Sequence, residues 1–202
     1  MSAVMQRRVA VMLLLFVSFS LVYSSIAYYS LSRPPAQEFM AWGVFSSSSS
    51  LSNYFSGAGA NVTVGETLNW HFAVTNQMGS IQYVQVVYRL GNSTSANPNA
   101  TVPGSTVPQV GNSSIFIPNT QTALVNFTWV ISSRNIVGGM VFITTMINGQ
   151  QVSPSVGAVA GQRFRFFFEL WTYDVALNSF QYGYKGQNSR VGVPLQVWFN
   201  SL

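Results

Sequence analysis

From residue 9 to residue 31 the chain runs for about 23 residues without a charged side chain, VAVMLLLFVSFSLVYSSIAYYSL, and no other feature limits its fold so strongly. At 1.5 Å per residue the run makes about 34 Å of helix, enough to cross a hydrocarbon core of ~30 Å. Residues 1–8 end in Arg7 and Arg8, the positive flank that stays on the cytoplasmic side. The expected plan is a cytoplasmic tail at 1–8, a single transmembrane anchor in the lipid bilayer at 9–31, and an extracellular remainder. A cleaved signal peptide is the alternative, with Ser25-Ile26-Ala27 as a small-x-small site. The apolar run exceeds the ~7–15 residues of a usual signal core, which favours retention. Pro34 and Pro35 end the helix, because proline has no amide hydrogen to continue the ladder.

Ser18, Val22, Ser25 and Tyr29 fall at spacings of 4, 3 and 4, on one helix face. Small and hydroxylated residues let a second helix approach closely, so the stripe is a candidate contact with other membrane-protein subunits. Serine near a helix end is equally compatible with plain tolerance. Residues 32–60 form a juxtamembrane stretch with Phe39, Trp42 and Phe45 near a run of five serines. It is too aromatic for a flexible linker, and a segment lying on the membrane surface or against a partner is expected.

After residue 60 the sequence alternates. Leu68, Trp70, Phe72 and Val74 share one face of a strand, and Val125, Phe127, Trp129 and Ile131 share another. Residues 82–90, 140–147, 163–173 and 191–199 are further strands. Asn148-Gly149 signals a type I′ hairpin turn into 150–152. Six or seven strands without helical period predict a mainly β fold, an immunoglobulin-like β-sandwich ectodomain over 61–202. The connection 91–122 is rich in Ser, Asn, Pro and Thr, as expected of a crossing between sheets or an exposed functional loop. Five Asn-x-Ser/Thr sequons occur, at Asn61, Asn92, Asn99, Asn112 and Asn126. Three crowd into that connection, and glycosylation is expected there.

Catalytic chemistry finds few residues to work with. The chain has one histidine, His71, no cysteine, and four acidic residues, so a blue-copper site and a disulfide framework are excluded on residue types, and one His and one Asp give a Ser/His/Asp set little to be assembled from. Glu169 and Asp174 differ by five and point to opposite faces of a regular strand, which argues against a glycosidase pair. A buried ion pair of Glu169 with Arg163 or Arg165 is the expected use. No cofactor, metal or nucleic-acid partner is expected, since the nine basic residues are scattered and form no stripe. The strand RFRFFFELWTY is apolar on both faces, so something covers its outer side: a loop or a partner subunit, with Phe167 and Trp171 as contacts.

The segments NVTVGETLNWHFAVTNQMGSIQYVQVVYRLGN (61–92), FFFELWTYDVALNSFQY (166–182) and VPLQVWFN (193–200) resemble a family of uncharacterised archaeal membrane proteins, catalogued as a domain of unknown function. The resemblance implies an archaeal source and an immunoglobulin-like extracytoplasmic domain, and it carries over no functional residue. Charged residues are only 6% of the chain, against roughly 25% in an average domain. Such a surface keeps its hydrogen bonding in an acidic exterior, where carboxylates near pKa 4 are protonated; a neutral, glycan-rich surface is the alternative. The first functional reading is a non-catalytic accessory subunit of a larger membrane complex, of which a respiratory complex is one example. A pilin-like envelope or filament glycoprotein and an extracellular ligand-binding module using 91–122 are the alternatives.

Overall fold

The computed structural model describes residues 3–31, 37–57, 59–186 and 189–202. Two units separate, Met1–Gln37 and Glu38–Leu202. The first contains α1 (Ala3–Leu31), within which Ala10–Leu31 is long and apolar enough to cross a membrane, with mean hydropathy 2.2. Ser18 and Ser25 turn their hydroxyls onto the carbonyls of Leu14 and Leu21, at 2.8 and 2.7 Å. This back-bonding lets serine sit in an apolar helix without an unpaired group. The expected stop at Pro34 and Pro35 lies outside the described residues.

The second unit is mainly β. Its strands are β1 (Phe39–Phe45), β2 (Asn61–Val62), β3 (Thr67–Gln77), β4 (Gln82–Asn92), β5 (Gln109–Ile117), β6 (Thr122–Val137) and β7 (Met140–Ile147). They continue as β8 (Gln150–Val152), β9 (Gly157–Val159), β10 (Phe164–Asp174), β11 (Ser179–Tyr182), β12 (Tyr184–Lys185), β13 (Arg190–Val191) and β14 (Leu195–Ser201). One sheet has the order β1-β3-β6-β7-β8, with β9 also on β7. A second has the order β2-β14-β10-β4-β5, with β11 also on β10, and β12 pairs with β13. Pairing is antiparallel except between β2 and β14.

Alternation puts Trp70, Phe72, Phe127 and Trp129 of the first sheet in the same core as Tyr88, Phe166, Phe168 and Phe199 of the second. Trp129 meets Phe166 at 4.9 Å between ring centroids and Phe72 meets Phe168 at 4.8 Å, both near edge-to-face. That geometry aims the positive ring edge at a negative ring face and adds to the burial itself. Aromatic packing thus fills the core of a chain without disulfides.

Asn148 and Gly149 have φ of 49° and 82°, as a type I′ turn demands, and β7 and β8 keep the expected bounds. Three expectations change. Residues 39–45 are not a separate juxtamembrane segment but β1, paired along its whole length with β3 from Phe39↔Gln77 to Phe45↔His71. Met40 and Val44 enter the core, so the alternation was present and the neighbouring serine run obscured it. Residues 109–117, read as part of a long connection, are β5, hydrogen-bonded to β4. Their polar alternation, with Asn112, Ser114 and Phe116 exposed, is that of a sheet-edge strand. The final strand begins at Leu195 rather than at residue 191.

Candidate functional site

Strands β4 and β10 each present one side-chain set to the core and one to the opposite face of their sheet. The opposite set is Tyr83, Gln85, Val87 and Arg89 on β4 and Arg165, Phe167, Glu169, Trp171 and Tyr173 on β10. The pairing Phe167↔Arg89, Glu169↔Val87 and Trp171↔Gln85 lines these residues up in rows. A face turned from the core ordinarily meets water, yet Val87, Arg89, Arg165, Phe167 and Glu169 are buried.

Residues 93–108 cover them. Glu169 has no exposed surface and accepts from Arg89 Nε at 3.1 Å, from Trp171 Nε1 at 3.1 Å and from the amide of Gly104. Arg89 Nη1 donates to the Val107 carbonyl at 2.9 Å. The Arg165 guanidinium lies 4.1 Å from the Phe167 ring centroid and 4.3 Å from that of Trp198. It donates to Asn97, to Gln196 at 3.0 Å and to the Ser95 carbonyl at 2.7 Å. Burial lowers the Arg165 pKa from its usual value, but guanidinium remains charged at any ordinary pH. Tyr182 closes the rim, donating to the Asn99 carbonyl at 2.7 Å. Its pKa is pushed up to about 12 by burial first and by the Glu169 charge second. Every charge here is held by fixed partners, which suits a structural clamp rather than a reacting group.

The other half of the face is open. Tyr83↔Phe116 and Tyr173↔Phe180 are register pairs, and with Thr172↔Val84 they set four aromatic side chains in one row across β5, β4, β10 and β11. Tyr83 stacks on Phe116 at 4.2 Å and 12°, Phe180 lies 5.0 Å from Tyr83, and Tyr173 lies 5.4 Å from Phe180. Phe116 is 62% exposed although one ring face is already stacked. A cavity of about 410 Å³ borders Tyr83, Phe116 and Tyr173.

A second, polar cavity of about 340 Å³ shares Ser80, Gln82, Tyr173 and Val175 with it. Its charged groups are Glu38, Asp174, Lys185 and Arg190. Asp174 Oδ2 faces Arg190 at 3.6 Å, and its Oδ1 accepts the turn amides of Ala176 and Leu177 at 3.0 and 3.2 Å. Arg190 is also anchored on the carbonyls of Gly183 and Gln181, at 2.8 and 3.1 Å. Burial lowers its pKa, with Asp174 opposing. The Glu38 carboxylate and the Lys185 ammonium have no hydrogen-bond or ion-pair partner among the described residues.

The residues singled out in the sequence are scattered over both units. Ser18, Val22, Ser25 and Tyr29 are exposed along α1. Phe39 is exposed, Trp42 donates to the Val193 carbonyl at 3.0 Å, and Phe45 stacks on His71 at 5.6 Å. Phe167 is fully buried beneath the chain's own residues 93–108 rather than open to a partner, and Trp171 is half-buried. Glu169 pairs with Arg89, not with Arg163 or Arg165, because the β4–β10 register brings Arg89 beside it. Of the sequons, Asn99, Asn112 and Asn126 are exposed, and Asn126 points outward from β6 as a modified strand residue must. Asn61 accepts from Asn200 at 2.9 Å, while Asn92 spends its amide on the Gly157 carbonyl at 2.7 Å. The aromatic row and the cavity beside it were missed. Tyr83, Phe116, Tyr173 and Phe180 carry no motif, and only pairing of β5 with β4 and of β11 with β10 assembles them.

No protein-family model matches the chain, and no curated protein does either. Solved structures similar to it include the CARDB domain of a Pyrococcus furiosus protein in complex with di-metal ions. That likeness has 7% identity and a TM-score of 0.38 over 83% of this chain and 90% of that one. A Listeria innocua β-glucosidase in complex with glucose is similar at 10% identity and TM-score 0.38, over 81% of this chain and only 16% of that one. A β-glucosidase from Erythrobacter marinus is similar at 9% identity and TM-score 0.37, over 82% and 16%.

Proposed function

We propose that this protein is a non-catalytic recognition module, an immunoglobulin-like β-sandwich carried outside an archaeal cell on a retained N-terminal membrane anchor. The observation that carries the reading is the open aromatic row on the β5-β4-β10-β11 face, continuous with a polar cavity. Pockets that bind ligands combine apolar walls with a few convergent polar groups, and that pairing occurs here. The anchor and its orientation draw support from the apolar helix Ala10–Leu31 and from Arg7 and Arg8 before it. The non-catalytic part draws support from the carboxylates: Glu169 is sealed beneath residues 93–108, and Asp174 is committed to Arg190 and two turn amides. The sequon asparagines Asn99, Asn112 and Asn126 are all exposed, as acceptors of glycans on an extracellular surface would be.

The test is co-sedimentation of the full chain, in nanodiscs, with isolated cell envelopes from its source. Phe116→Ala is expected to lower the bound fraction severalfold while its melting temperature stays within about 2 °C of wild type. Equal binding by both proteins would sink the reading. A second reading, accessory subunit of a membrane complex, draws on the exposed Ser18/Val22/Ser25/Tyr29 stripe and on an apolar hollow of about 300 Å³ beside Trp42, Phe45 and Leu51. Stable multi-pass companions in mild detergent, lost in a Ser18→Leu/Ser25→Leu variant, would favour it.

A further inference from the structure

We infer that the aromatic row and the adjoining polar cavity form one site for a neutral saccharide chain. This inference rests on the recognition-module reading and names the class of molecule recognised. A pyranose ring has an apolar face of C–H groups and a rim of hydroxyls. The first needs a flat aromatic surface, and the second needs donors and acceptors at its edge. Phe116 stands 62% exposed with Tyr83 stacked on one side at 4.2 Å, which leaves ring surface open to a ligand. At the other end the shared wall of Tyr173, Ser80 and Gln82 leads to Glu38 and Lys185, whose charged groups have no partner among the described residues.

Charge narrows the class. Glu38 and Asp174 balance Lys185 and Arg190, so the cavity has no net charge to draw in a polyanion or a polycation. Geometry narrows it further. The row crosses β5, β4, β10 and β11, so with strands about 4.8 Å apart it is about 14 Å long and perpendicular to them. A peptide adding to the β5 edge would run along the strands and reach only Phe116. A ligand lying across the strands meets Phe116, Tyr83 and Tyr173, which line the cavity, needs no main-chain pairing, and has the length of a short oligosaccharide.

The experiment titrates cellotriose, maltotriose and mannotriose, with trigalacturonic acid as the charged control, against the full chain in nanodiscs by calorimetry. At least one neutral trisaccharide is expected to bind in the millimolar range or tighter. Phe116→Ala should weaken it about tenfold, and Asp174→Asn, which keeps the turn hydrogen bonds, should weaken it a few fold. Melting temperatures of both variants serve as the folding control. If no neutral trisaccharide binds at millimolar concentration while envelope binding still depends on Phe116, the module reading stands and the saccharide assignment falls, pointing to a protein partner. Preference for trigalacturonic acid also overturns the assignment. If neither sugar binding nor envelope binding depends on Phe116, both readings fall together.

Discussion

Two halves of one sheet face meet opposite fates. On β4 and β10, the half containing Arg89, Phe167 and Glu169 is roofed by residues 93–108, and the half containing Tyr83 and Tyr173 is open. Both carry aromatic rings, and both lie on the same two strands. They differ in where their polar groups find partners. Beneath the roof, loop carbonyls and amides bind Arg89, Arg165 and Glu169, leaving the buried Arg165 Nε without a partner, and burial stabilises the fold. In the open half the rings pack on one another, with the Tyr173 hydroxyl donating to Asn178, and the remaining ring surface faces solvent. The proposed recognition role draws on this contrast, because the same face is covered by the chain's own loop a few residues away.

The sharpest way to break this comparison is Glu169→Ala. It leaves the Arg89 guanidinium buried without its carboxylate, and about 3–5 kcal/mol of stability should be lost in denaturant unfolding. The double variant Arg89→Met/Glu169→Leu should recover most of that loss, since it removes both charges together. A double variant as unstable as the single would mean that the loop needs the ion pair itself. Phe167→Ala should cost about 3 kcal/mol, against roughly 0.5 for Phe116→Ala, whose ring is largely in water. Equal losses would erase the distinction between the halves.

A smaller effect tests the rim. Tyr182→Phe should cost about 1 kcal/mol through the lost hydrogen bond to Asn99 and should quicken amide exchange in residues 93–108. The Tyr182 pKa is raised to about 12 in the folded protein. The unfolded value is about 10, so its stabilisation is complete below about pH 10 and is lost as pH rises through the folded value. Thermal midpoints of wild type and Tyr182→Phe should therefore converge above pH 10; parallel midpoints would show that Tyr182 does not titrate with folding.

Much of the fold was legible locally. Alternation identified β3 and β6, apolar runs between turns identified β4, β7 and β10, and Asn148-Gly149 identified the turn. The double coverage of RFRFFFELWTY was legible too, because no half-solvated strand is apolar on both faces. What was not legible was the identity of the cover, since residues 93–108 read as polar loop and contribute mainly backbone groups. Strand β5 was hidden for a related reason: an edge strand with one face in water has too weak an apolar signal to stand out from a Ser/Asn-rich connection.

By itself, then, the sequence determined one apolar helix long enough to cross a membrane, a mainly β remainder, and an aromatic core that needs no disulfide. These follow from side-chain period and composition, which act within a few residues. Only the tertiary structure decided that Glu169 meets Arg89 across 80 positions, that β1 joins the first sheet, and that Phe116, Tyr83, Tyr173 and Phe180 form a row. Those outcomes depend on register between strands far apart in the chain. Register is fixed by the packing of the whole core, because a slip of one residue would turn every apolar side chain out of it.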